Sequence, residues 1–141
     1  MSQDEALHDP ARVVIRRRIE WIDTDASGIY HWTTVFRLAE AAEAVMHAGL
    51  GIADTFGQVP RVSVAVNFRR PLRFDDPVEV ELAVETIGRS SLVYRLAVTA
   101  QDGLAADGSL TVCFIDRSTG RAAPWPPDIR ERLSGGGRVQ E

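Results

Sequence analysis

Lysine is missing from this chain: every one of its 16 basic residues is arginine. Arginine is the better planar binder of phosphate, so the bias has chemical consequences wherever an anion is met. Positive charge does not dominate, however. The formal net charge of -4 excludes a general nucleic-acid binder, which needs a strongly basic face. Cysteine is nearly absent too. Cys113 stands alone, so neither an intrachain disulfide nor a cysteine-ligated zinc site can form, and a reducing, cytoplasmic setting is expected. No run approaches the ~20 apolar residues of a membrane-spanning helix, so no membrane partner is expected. The three histidines are scattered without metal-ligand spacing, and no metal is expected. There are no internal repeats.

What is present suits one ordinary domain: 141 residues, 45% of them apolar. Met1 to Pro10 is polar and acidic, which reads as a flexible lead-in rather than a signal peptide. Residues 11–133 carry the periodic segments. The glycine-rich stretch 134–141 reads as a disordered tail.

Val13 to Ile22 reads as a strand, with Val13, Ile15, Ile19 and Trp21 on one face. Asp23-Thr24-Asp25-Ala26-Ser27-Gly28 is rich in turn and cap residues and ends it. Thr33 to Ala48 is the clearest helix, with Val35, Leu38, Ala39, Ala42, Val45 and Met46 spaced as one apolar stripe, and Gly49 and Gly51 to stop it. Four alternating segments follow. They centre on Val62 to Phe68, Val78 to Val84, Leu92 to Val98 and Leu110 to Phe114. Prolines lead to a short helix, Asp128 to Leu133, with Asp128 as its N-cap and Trp125 as a surface packing residue. One strand, one long helix and four strands joined by short turns do not make βαβ units. The expected class is α+β: an antiparallel sheet of about five strands wrapped around a single central helix. Such a sheet leaves exposed edges, and pairing with a second copy is the expected remedy.

The chemistry concentrates in Glu20-Trp21-Ile22-Asp23-Thr24-Asp25-Ala26-Ser27-Gly28-Ile29-Tyr30-His31-Trp32, which leads into the central helix. A helix start offers unpaired N–H groups and a partial positive charge, suited to a developing oxyanion. A carboxylate in the preceding turn reaches a carbonyl held there, and Gly28 lets the backbone approach without a side chain. These parts suit acyl transfer.

This loop resembles the active-site loop of the 4-hydroxybenzoyl-CoA thioesterase family of hotdog-fold proteins, matching at Trp21, Asp23, Thr24, Asp25, Gly28 and Ile29. The resemblance extends over about residues 13 to 133. It takes in Val66-Asn67-Phe68-Arg69-Arg70-Pro71-Leu72, Glu85-Thr86-Ile87-Gly88-Arg89-Ser90-Ser91 and Asp116-Arg117-Ser118-Thr119-Gly120-Arg121. It implies an acyl-CoA thioesterase, with coenzyme A present only as part of the substrate and no separate cofactor. An acyl carrier protein is the other possible donor. It implies that Asp25 is the catalytic carboxylate, as nucleophile or general base, that the Trp32 N–H polarises the thioester carbonyl, and that the site lies at the interface of a homodimer or homotetramer. His31 is a catalytic candidate by proximity only, since it sits one position closer to the glycine than in some relatives. Gly28, Ile29, Tyr30, Arg69, Arg89 and Ser90 are the expected substrate-binding positions, with Arg70 and Arg73 as further candidates for phosphate. Asp23 reads as structural, and Glu40 and Glu43 on the helix as hydrogen-bonding or dimer-contact groups. Two other functions fit less well. A hydratase needs a histidine–carboxylate pair, for which His31 and Asp25 have the wrong spacing, and a non-catalytic acyl-CoA-binding module leaves Asp25 without a role.

Overall fold

The computed structural model describes residues 7–141; positions 1–6 of the expected lead-in lie outside the described residues. The chain runs β1 (Arg12–Arg18), a 3-10 turn (Trp21–Asp23), α1 (Thr34–Gly49), a 3-10 segment (Ala53–Gln58), β2 (Arg61–Phe68), β3 (Pro77–Ile87), β4 (Ser91–Ala100), β5 (Gly103–Cys113), α2 (Pro127–Gly135) and β6 (Arg138–Val139). One six-stranded sheet has the order β2-β5-β4-β3-β1-β6. Every neighbouring pair is antiparallel except β1 with β6.

Period two shapes the inner strands. Val13 and Ile15 of β1, Val78, Val80 and Leu82 of β3, and Leu92, Tyr94, Leu96 and Val98 of β4 all point into one core. Against them lies the α1 stripe of Val35, Leu38, Ala39, Ala42 and Met46. The helix has 16 residues and is ~24 Å long. Each fully buried leucine, isoleucine or valine of this core stabilises the fold by about 1.5–3 kcal/mol. The α+β architecture with one long helix against an antiparallel sheet is thus as the sequence suggests, with a short sixth strand added.

Several local expectations need correction. The first strand stops at Arg18, and Trp21 does not share its buried face but is 75% exposed. The reason is Asp23, whose Oδ2 accepts the Glu20 N–H at 2.8 Å and folds residues 21–23 into the 3-10 turn. β2 alternates in sequence yet buries neither face: Val62 is 64% and Phe68 49% exposed, because β2 is the outer strand. Asp128 is not an N-cap. Pro127 starts α2 and Pro126 precedes it without a side-chain cap. Trp125 is not on the surface but 4% exposed, donating from Nε1 to the Ser91 carbonyl at 3.0 Å and packing on Phe114.

The tail is ordered where disorder was expected. Its glycines carry it alongside β1 rather than into solvent. Arg12 donates to the Gly137 carbonyl at 3.0 Å, and Gly137 to the Asp9 carbonyl at 2.8 Å. Val139 is buried against Gly49 of α1, where a Cβ would lie 2.1 Å from the valine methyl. Glu141 then pairs with Arg17 at 2.6 Å and accepts the Arg16 N–H at 3.3 Å.

Candidate active site

Asp23 anchors the loop that precedes α1. Arg37, one turn into the helix, forks its carboxylate with Nε–Oδ1 3.0 Å and Nη2–Oδ2 2.6 Å, and Thr34 donates to its carbonyl at 3.1 Å. Asp23 is therefore structural. From this anchor the chain makes a tight reversal. Gly28 donates to the Asp25 carbonyl at 3.0 Å, and Asp25 donates to the Ile29 carbonyl at 3.1 Å. Gly28 sits at φ +83°, a left-handed conformation that side chains disfavour, although a Cβ there would meet nothing within 4 Å. The reversal is pinned from outside by Tyr30, which donates to the Leu72 carbonyl at 2.7 Å, and by the bridge between Ile29 and Arg73.

Asp25 stands exposed at the reversal. Its Oδ1 accepts the hydroxyl and, at 2.8 Å, the N–H of Ser27. These two hydrogen bonds outweigh slight desolvation and hold the carboxyl below its usual range. It is ionised at neutral pH, and its Oδ2 makes no hydrogen bond among the described residues. The Trp32 backbone N–H is equally uncommitted, since its neighbours turn elsewhere: His31 donates to the Asp23 carbonyl, and Thr33 donates to His31 Nδ1 at 3.2 Å. α1 begins two residues after Trp32, at Thr34, so this N–H belongs to the entry turn rather than to the helix proper.

Asp25, Ile29, Tyr30, Trp32, Phe68, Arg69, Arg70 and Pro71 line a cleft of about 450 Å³. Five of the nine expected site residues thus share one space. Gly28 supports it from the turn. His31 is in the same loop, but its Nδ1 is taken by Thr33, whose Oγ1 lies 2.7 Å away, and it does not line the cleft. Arg89 and Ser90 are not brought there. They sit between β3 and β4, where their carbonyls accept the N–H groups of Trp125 and Phe114. Phe68, Arg70 and Pro71 join the cleft from the end of β2. Arg69 is tied to Asp107 at 3.0 Å, whereas Arg70 forms no ion pair among the described residues. A larger hollow, about 710 Å³, lies beside Arg16, Arg17 and Arg18, but its only carboxylate, Glu79, is paired with Arg16.

A second polar cluster is buried beneath the sheet. Glu43 pairs with Arg61 of β2 at 2.8 Å. Thr55 donates to the Ile52 carbonyl at 2.7 Å, so its oxygen accepts from His47 Nδ1 at 3.1 Å, which leaves His47 Nε2 to accept the Tyr94 hydroxyl at 2.9 Å. Burial, reinforced by Arg61, lowers His47 to about 4. Burial raises the Glu43 carboxyl, opposed by Arg61. Glu40 is exposed on α1 and outside the Asp25 cleft.

Comparison with known proteins matches residues 18–133 to the Thioesterase-like superfamily. The 1,4-dihydroxy-2-naphthoyl-CoA hydrolase of Prochlorococcus marinus is 25% identical over 138 residues, covering 89% of this chain and 91% of that protein. The enzyme of the same description from a Synechococcus species is 27% identical over 139 residues, covering 89% and 93%. A predicted thioesterase of Bacillus stearothermophilus superposes with a TM-score of 0.81 at 22% identity, covering 92% of this chain and 98% of that one, a likeness of fold. With the matched segment spanning β1's end through α2, the chain belongs to the thioesterase-like superfamily, as a thioester hydrolase of hotdog fold.

Proposed function

We propose that the protein hydrolyses aromatic acyl-CoA thioesters in the cleft beside Asp25. The observation that carries this reading is one cleft holding both an ionised carboxylate with a free oxygen and an uncommitted backbone N–H. The N–H of Trp32 bonds the thioester oxygen and stabilises the charge that develops on it. Asp25 Oδ2 then attacks the carbonyl carbon and expels the CoA thiolate, giving a mixed anhydride that water cleaves, or it takes a proton from a water that attacks instead. Arg70 is the cation free to meet a phosphate of coenzyme A. The aromatic preference is supported by the Tyr30, Trp32 and Phe68 rings along the cleft and by the naphthoyl-CoA activity of the named relatives.

The working unit of this reading is a homodimer in the cytoplasm. Its support is the outer strand β2, which presents Val62, Val64 and Phe68 to solvent and ends at the cleft, so that a second copy along β2 covers apolar surface and walls the site. A panel of aromatic and aliphatic acyl-CoAs, assayed for thiol release, tests the proposal. Turnover of aromatic members that vanishes in Asp25→Asn is the expected result. Undiminished turnover in that variant removes Asp25 from the reaction. No turnover on CoA thioesters, with turnover on an acyl carrier protein, moves the donor.

A further inference from the structure

A second hollow lies between α1 and β2, and the reaction proposed above does not use it. It measures about 200 Å³ and is lined by Phe36 and Glu40 of α1, Arg61 and Val64 of β2, and Leu110 of β5. It continues the line of the Asp25 cleft along the same two elements. On β2, Phe68 lines the cleft and Val64 the hollow, four residues or ~13 Å apart on one face of the strand. On the helix side, Trp32 lines the cleft and Phe36 the hollow, and among the described residues none lines both. The divide falls where the Trp32 and Phe36 rings meet edge to face, their centres 5.6 Å apart at 85°. At the far end Arg61 is held by the buried Glu43 at 2.8 Å.

We infer that Phe36 is a specificity-determining residue: its ring, packed on Trp32, stops the acyl group at the end of the cleft and so limits its length. This inference rests on the acyl-CoA reading above and on the second copy along β2, which closes the open flank of the groove and leaves the way between the two spaces past Phe36. The barrier is a half-buried side chain, not backbone, and it carries no polar atom. An acyl group too long for the cleft must push that ring out of its packed position, a strain that a shorter one avoids. Truncating the ring joins the two spaces without leaving a hydrogen-bonding group unpaired.

The test uses thioether analogues that cannot be hydrolysed, phenacyl-CoA and 4-phenylphenacyl-CoA, which adds a second ring in line with the first. Calorimetric titration of the full-length protein and its variants measures their binding. Wild type is expected to bind phenacyl-CoA at least about tenfold more tightly, and Phe36→Ala to bring the ratio close to one by gaining on the longer analogue. Adding Val64→Phe to that variant refills the hollow from the strand side and is expected to restore the wild-type ratio. A wild-type protein that binds the two alike overturns the inference. So does a Phe36→Ala variant that keeps the wild-type ratio, equal weakening of both analogues included, or one whose gain survives Val64→Phe. Phe36→Leu, a milder truncation, is held to the same criteria where the alanine variant does not fold. Absence of thiol release from every acyl thioester, with this binding pattern intact, overturns the hydrolase reading and leaves the role of Phe36 standing.

Discussion

Two polar clusters in this molecule use the same kinds of group and leave them in opposite states. Beneath the sheet, Glu43, Arg61, His47, Tyr94 and Thr55 are joined into one buried network. At the cleft, Asp25 keeps a free oxygen and Trp32 a free N–H among the described residues, and the Tyr30 hydroxyl, enclosed from solvent, has no partner among them. The two tyrosines show the contrast best: both are buried, but the Tyr94 hydroxyl is bonded to His47 while the Tyr30 hydroxyl has no partner among the described residues. Saturated hydrogen bonding holds α1 to the strands. The unsaturated groups gather at the cleft, where the proposed substrate would meet the Asp25 oxygen and the Trp32 N–H.

Four measurements strain this contrast, the largest effect first. Asp25→Asn removes the charge while keeping shape, and kcat on the best acyl-CoA is expected to fall by at least about 10²–10³ with the melting temperature little changed. Tyr94→Phe leaves His47 Nε2 buried without a donor, and chemical denaturation is expected to show a loss of about 1–3 kcal/mol. Acid acts on the same cluster. His47 is held at about 4 in the fold against 6.5 when unfolded, so between these values the unfolded chain binds the extra proton and stability falls as pH falls. Unfolding free energies from urea titrations at pH 7 and pH 5 should differ by about 2 kcal/mol more in wild type than in His47→Gln. Comparison with that variant isolates the imidazole from Glu43, whose raised carboxyl acts in the opposite sense. Smallest is Tyr30→Phe, expected to leave the unliganded protein within about 0.5 kcal/mol of wild type or slightly more stable, because no bond is lost. Equal destabilisation by the two Tyr→Phe changes would end the distinction.

The central helix and the inner strands were legible in the sequence because their signals are local: a stripe at helical spacing and alternation at period two. Asp25, Ile29, Tyr30 and Trp32 were legible for the same reason, lying in one short loop. Arg69 and Arg70 were candidates through the family resemblance, but Phe68 and Pro71 join the loop only through tertiary bonds, Tyr30 to Leu72 and Ile29 to Arg73, for which the sequence carries no local sign. The His47–Tyr94 bond spans 47 positions and was equally hidden. β2 misled in another way. Its alternation reads like that of an inner strand, yet position in the sheet, not periodicity, decides burial, and β2 lies at the rim. Composition misled at the tail, where glycines signalled looseness although Val139 fits against Gly49.

That tail also bears on the dimer proposed above. Hydrogen-bonded sheets grow from whichever rims are bare, and a sheet bare on both sides adds copies without end. Residues 137–141 occupy the β1 side, with Gly137, β6 and the Glu141 carboxylate set along it, so β2 is the side left for strand addition. Two such sheets joined β2 to β2 present only tail-covered rims to a third. In the proposed dimer, edge growth would halt at a pair, with residues 137–141 standing between a discrete assembly and a fibre.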